Sequence, residues 1–170
     1  MPLEDRLTTP PELDEEVASL LRLLGVDPRR ARYLPFTAPA RFKPEARECH
    51  INAWLQMKYE QAGSVESGWL VWQHKPSGTV EAHFHSVWLS PSDEPCDVTP
   101  REDGEVTVLF APDPVRRVRL TDYDGRPALK TYTHVTMVAG KVRAPLRDAI
   151  AILTTELIYE HGLASRSTAA

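Results

Sequence analysis

The residues able to do chemistry gather in three short stretches of this chain. In Glu48-Cys-His-Ile-Asn-Ala-Trp-Leu55 a thiol, Cys49, stands beside an imidazole, His50. In Gly78-Thr-Val-Glu-Ala-His-Phe-His-Ser-Val-Trp88 two further histidines alternate with other residues, and Glu81 falls on the same alternation. In Pro95-Cys-Asp-Val-Thr-Pro100 a carboxylate, Asp97, follows the second cysteine. A thiol becomes a nucleophile when a neighbouring imidazolium and a helix N-terminus lower its pKa from about 8.5. A carboxylate beside an imidazole fixes its tautomer and stabilises its charged form.

These residues need elements to carry them. The Cys49 stretch lies at the front of an apolar run read as a helix over about 44–61, with Ile51, Trp54 and Leu55 on one face. On that helix His50 points about 100° away from Cys49. From residue 68 the pattern shifts to short β-branched and aromatic runs, which read as strands. Along the 79–89 strand, side chains alternate between faces. Val80, Ala82, Phe84, Ser86 and Trp88 then make a core face, and Glu81, His83, His85 and Val87 the open or cleft face. An antiparallel neighbour beginning near Asp97 brings its carboxylate alongside a histidine, and the spacing alone does not choose between His83 and His85.

The remaining elements follow the same rules. Pro11 and the acidic residues after it suit a helix start, and Gly25 an end, with Val17, Leu20, Leu21 and Leu24 forming its stripe. Asp124-Gly125 reads as a hairpin turn. A final helix is expected over about 145–161, a flexible arm over about 1–10 and a frayed tail over 163–170. The order is helix, helix, strands, helix. It predicts an α+β fold in which an antiparallel sheet packs against helices, as a single domain over 1–170 with a catalytic-like core at about 44–112.

The order and spacing of Cys49, His85-Ser-Val-Trp88 and Asp97-Val-Thr-Pro100 resemble the transglutaminase-like and papain-like cysteine enzymes. The resemblance implies a papain/transglutaminase-like core, with Cys49 as nucleophile, His85 as base and later acid, and Asp97 as the orienting carboxylate. It implies thiol-dependent acyl transfer on an amide or ester, as in a peptidase, deamidase or transglutaminase-like enzyme, with a peptide, protein or small molecule as acyl substrate. No cofactor or metal is then required. Glu81, His83, Asn52 and Trp88 are candidates to line the substrate cleft, and Gln73 to supply an oxyanion donor with the Cys49 backbone N–H.

Two other readings stay open. His83 and His85, with Glu81 or Asp97 and with Cys49 or His50, are donors of the kind that hold zinc or iron. A non-catalytic interaction module on the same fold is the third. A net charge of −4 argues against a nucleic-acid binder. The chain has no apolar run of membrane-spanning length and its start lacks a signal-peptide pattern, so a cytoplasmic protein without membrane contact is expected. Two cysteines make no disulfide framework.

Overall fold

A computed structural model describes residues 6–152. The fold is α+β and mostly strand, with two α-helices among the described residues. Helix α1 spans Glu15–Leu23 and α2 spans Cys49–Glu60. Ten strands follow in chain order: β1 Arg32–Pro35, β2 Ser64–His74, β3 Thr79–Leu89, β4 Pro95–Cys96, β5 Thr107–Pro112, β6 Arg119–Tyr123, β7 Arg126–Tyr132, β8 Val135–Val138, β9 Lys141–Ala144 and β10 Asp148–Ile152. No helix among the described residues is long and apolar enough to cross a membrane.

The main sheet runs β1-β5-β2-β3-β8-β9, with β4 also against β3. Its ladders are antiparallel. The β2–β3 hairpin is its spine: eleven residues of each strand pair, from Ser64 opposite Leu89 to His74 opposite Thr79. The turn closes through a 3-10 turn at Lys75–Ser77 and Gly78 at φ 63°, a left-handed conformation that glycine adopts without Cβ strain.

Alternation along these strands divides the apolar residues between two faces. Trp69, Val71, Val80, Ala82, Leu109, Ala111 and Val135 meet the α1 stripe of Val17, Leu20, Leu21 and Leu24. Leu34, Leu70, Trp72, Val87, Val108 and Phe110 cluster on the opposite face. By register, Glu81, His83 and His85 project on that second face. The face is not open throughout: His85 is 5% exposed and Val87 fully buried.

Several boundaries differ from those read in the sequence. α1 begins at Glu15 rather than Pro11, because Asp14 caps it by accepting from the Val17 N–H. α2 begins at Cys49 rather than near Pro44, because Arg47 takes a left-handed φ of 68° that ends any helix before it. Residues 6–10 are not a loose arm: Thr8 exchanges backbone hydrogen bonds with Gln73 at 3.0 and 2.8 Å, and Thr9 Oγ1 donates to the Thr107 carbonyl. The helix expected over 145–161 does not form where it is described: residues 145–147 are irregular and residues 148–152 are strand. Asp148–Ile152 pairs with β7 in a second, three-stranded antiparallel sheet ordered β10-β7-β6. Residues 1–5 of the expected arm, residues 153–161 of that expected helix and the tail at 163–170 lie outside the described residues.

Candidate active site

The edge of β3 away from β2 carries two short partners. β8 pairs with residues 79–82 and β4 with residues 88–89. Between them, residues 83–87 have no strand on that edge, and α2 packs against β3. Cys49 interacts with His85 and His50 with Ser86, two neighbours that point to opposite faces of the strand. The N-terminus of α2 therefore sits across the seam in the sheet.

Cys49 is the first residue of the helix. The first intrahelical bond runs from the Asn52 N–H to the Glu48 carbonyl at 2.8 Å, and Glu48 supplies no side-chain cap. The N–H groups of Cys49, His50 and Ile51 thus lack helical acceptors. They give this end of the helix its positive partial charge, which favours an anion on the first residue.

Burial raises the Cys49 thiol pKa, but interactions with His50 and then His85 outweigh it and hold the thiol well below its usual range. His85 moves the other way. Burial lowers its pKa; the Cys49 thiolate and then the Asp97 carboxylate more than compensate, and it is pushed up to about 10. The two directions describe one state, a thiolate–imidazolium pair. His85 Nε2 bonds Asp97 Oδ1 at 3.1 Å, which leaves the ring's Nδ1 for the thiol. Asp97 is fully buried and held from two sides: Oδ1 accepts from the Thr99 N–H, and the backbone carbonyl accepts from the Thr37 N–H at 2.8 Å. Two-residue β4, immediately before it, anchors this loop to β3 at Trp88 and Leu89.

The structure thus brings Cys49, His85 and Asp97 together. It also places His50 at the thiol, which the helical-wheel argument sent away. His50 Nδ1 pairs with Ser86 Oγ at 2.7 Å, and its ring tilts against Phe84. The 100° between adjacent helical positions separates the Cα–Cβ directions, but the imidazole is long enough to bend back over the first turn. Its immediate adjacency to Cys49 was the signal in the sequence.

The other expected cleft residues divide. His83 lines a cavity of about 530 Å³ that opens from Cys49 and His85 along the sheet face. Glu81 reaches it only through His83, bonding Nε2 at 3.0 Å while also accepting from Thr136 Oγ1. Three do not line it. Asn52 is fully buried and clamps the loop before the helix, exchanging bonds with the Glu45 backbone and donating to Thr99 Oγ1. Gln73 donates to Asp14 and Glu16 beside α1, so it supplies no oxyanion donor. Trp88 closes the end of α2, its Nε1 donating to the Ala62 carbonyl. Among the described residues, no three His, Cys, Asp or Glu side chains converge as metal ligands. The second thiol, Cys96, is half-buried, and its pKa is raised by burial and by Glu94.

No family model, curated protein or solved structure matches this chain.

Proposed function

We propose that the chain is a thiol-dependent acyl-transfer enzyme acting on an amide or ester, with Cys49 as nucleophile, His85 as general base and acid, and Asp97 as the orienting carboxylate. The observation that carries this reading is the meeting of Cys49 and His85 at the uncapped start of α2, with the thiol pKa pushed down and the imidazole pKa pushed up, backed by a buried carboxylate and facing a cavity. The papain/transglutaminase-like organisation, with its cysteine on a helix and its histidine and aspartate on the sheet, is part of the proposal and agrees with the Cys–His–Asp order.

The chemistry follows from the groups in place. Cys49 Sγ attacks the acyl carbon, and the carbonyl π electrons move to oxygen. The oxyanion forms beside the first N–H groups of α2, which have no helical acceptor. As the intermediate collapses, the bond to the leaving group breaks and the His85 imidazolium supplies the proton that the amine or alcohol takes away. A thioester remains on Cys49, with His85 neutral. A water or an amine then gives its proton to His85 and attacks the thioester, and the thiolate departs. Hydrolysis, deamidation and cross-linking share this first half. Asp97 keeps the ring oriented throughout and stays ionised.

Iodoacetamide at pH 6.5 tests the nucleophile. Cys49 is expected to react much faster than Cys96, and His85→Ala to slow Cys49 by roughly 100-fold, because the thiolate fraction falls with the rise in pKa. Equal, slow labelling of the two cysteines would rule the reading out and leave the interaction-module alternative.

A further inference from the structure

The thiol has two sides, and only one of them faces the cavity. Cys49 hydrogen-bonds two rings, His50 and His85. His85 lines the cavity together with Cys49, and His50 does not. His50 therefore meets the sulfur from the side away from the cavity. Its Nδ1 pairs with Ser86 Oγ at 2.7 Å, which leaves the other ring nitrogen for the thiol. Behind Ser86 stands Ser67, directly opposite it in the β2–β3 ladder, with the two hydroxyl oxygens 3.4 Å apart.

These two hydroxyls stand on a face that is otherwise apolar. Trp69 and Phe84, the next pair along it, belong to the core under α1. Ser67 is 2% exposed and Ser86 fully buried, so water does not serve them. Burying a hydroxyl is costly unless a partner is supplied. Here the partners are the other hydroxyl and His50.

The two rings at the thiol thus have orienting partners of different chemistry. The Asp97 carboxylate can only accept, so it keeps a hydrogen on the His85 nitrogen it faces. When His85 gives up its other proton, it presents a bare nitrogen on the cavity side and acts as a base. A hydroxyl both donates and accepts. Ser86 accepts from Nδ1–H when His50 is charged. When His50 is neutral, an anionic sulfur selects the tautomer in which Ser86 donates to a bare Nδ1 and accepts from Ser67 in turn. In both states the His50 nitrogen towards the sulfur keeps its hydrogen. One ring is arranged to pass a proton on, the other to hold one.

We propose that Ser86, backed by Ser67, is a positioning residue that fixes His50 as a standing hydrogen-bond donor to Cys49 Sγ, holding the sulfur as an anion from the side away from the cavity. Its part in turnover rests on the acyl-transfer reading. When the thioester carbon–sulfur bond breaks, the electron pair goes to sulfur, and the His50 N–H is already in place to receive it without a proton being transferred. The hold on the free sulfur does not rest on that reading.

The pH dependence of iodoacetamide alkylation at Cys49 tests this hold with no substrate present. In Ser86→Ala the midpoint is expected to move up, slowing alkylation at pH 6.5 by roughly three- to tenfold while the rate on the alkaline plateau is kept. Ser86→Ala should add nothing once His50→Phe has removed the ring nitrogens, and should add its full factor to His85→Ala. Ser67→Ala, one hydroxyl further back, should move the midpoint the same way and slow the reaction by roughly twofold. An unmoved midpoint in Ser86→Ala, or in Ser67→Ala where Ser86→Ala does not fold, overturns the relay. So does a loss that persists in the His50→Phe background. Acyl turnover is assayed separately: its absence would remove the acyl-transfer reading and leave the relay to stand or fall on the alkylation profile.

Discussion

Two histidine–carboxylate pairs lie two residues apart on the same face of β3. His83 meets Glu81 at 3.0 Å and His85 meets Asp97 at 3.1 Å. By distance they are equivalent, yet their pKa values move in opposite directions: His83 is lowered and His85 raised to about 10. Burial lowers both. The difference comes from what else faces each ring. His83 has one carboxylate, which also serves Thr136, and it faces His134 and Arg101, whose charges oppose a third. His85 has two anions, the Cys49 thiolate and a fully buried carboxylate. A carboxylate in contact is therefore not enough to charge a buried imidazole; here the second anion decides.

The sharpest way to break this comparison is to remove that anion. If the proposed acyl transfer holds, Cys49→Ala is expected to abolish it, by on the order of 10⁴-fold or more. It should also drop the His85 ring pKa from about 10 while leaving His83 in place, as read by NMR titration of the ring protons. A His85 pKa that stays near 10 without the thiolate would contradict the account.

Removing the other anion comes next. Asp97→Asn is expected to lower turnover by roughly 10²- to 10⁴-fold. A thiolate–imidazolium mechanism gives a bell-shaped pH profile, and in Asp97→Asn it should narrow from its alkaline side, because the imidazolium then loses its proton at lower pH. Glu81→Gln, the matching change in the other pair, is expected to leave both limbs of the profile where they were.

The pair also fixes how stability varies with pH, and the sign can be worked out. Unfolded His and Cys titrate near 6.5 and 8.5. Below about 6.5, His is charged in both states, and only the folded protein has lost the thiol proton, so stability falls with falling pH through the depressed Cys49 pKa. Between about 6.5 and 8.5, both states hold one proton on the pair and its contribution is level. Above about 8.5, the unfolded thiol ionises while His85 keeps its proton, so stability falls as pH rises towards about 10. Urea midpoints from pH 5 to 10.5 should trace this plateau, and Cys49→Ala should flatten both shoulders.

Smaller effects sharpen the ranking of the imidazoles around the thiol. His50→Gln is expected to slow alkylation of Cys49 at pH 6.5 by roughly tenfold, less than His85→Ala, because His85 remains beside the thiol. His83→Gln is expected to change that rate by less than about threefold, with a stability cost of about 1 kcal/mol for the lost bond to Glu81.

How far the sequence discloses this arrangement depends on how local its signals are. The β2–β3 hairpin is legible because its turn carries Gly78, β2 holds the apolar run Trp69-Leu-Val-Trp72, and Val80 to His85 alternate. The meeting of Cys49, His85 and Asp97 follows from alternation on β3 and the family-like order of the three. The start of α2 is not legible. It depends on Arg47 at positive φ, and nothing in Glu45-Ala-Arg marks a residue that can bear it. The C-terminal segment misleads because two periods overlap. Leu146, Ile150, Leu153 and Leu157 recur helically, while Ile150 and Ile152 alternate with alanines, and pairing with β7 selects the second pattern for Asp148–Ile152. Gln73 reads as a free amide until α1 is placed; only tertiary contact shows that it bonds Asp14 and Glu16. Gly68 is the reverse case: opposite His85 in the ladder, a Cβ there would lie 2.6 Å from the Phe110 ring, a crowding that no local pattern announces.

The seam in β3 has a consequence apart from chemistry. Residues 83–87 belong to a strand in the middle of a sheet, yet no strand pairs with them on that edge, and a helix stands there instead. An unpaired strand edge is a template for another chain. While α2 is docked, the template is covered; when it lifts, the sequence His-Phe-His-Ser-Val is exposed with its backbone ready to pair. Substitutions that loosen α2 are therefore expected to turn up first as insoluble protein and only afterwards as slowed alkylation of Cys49.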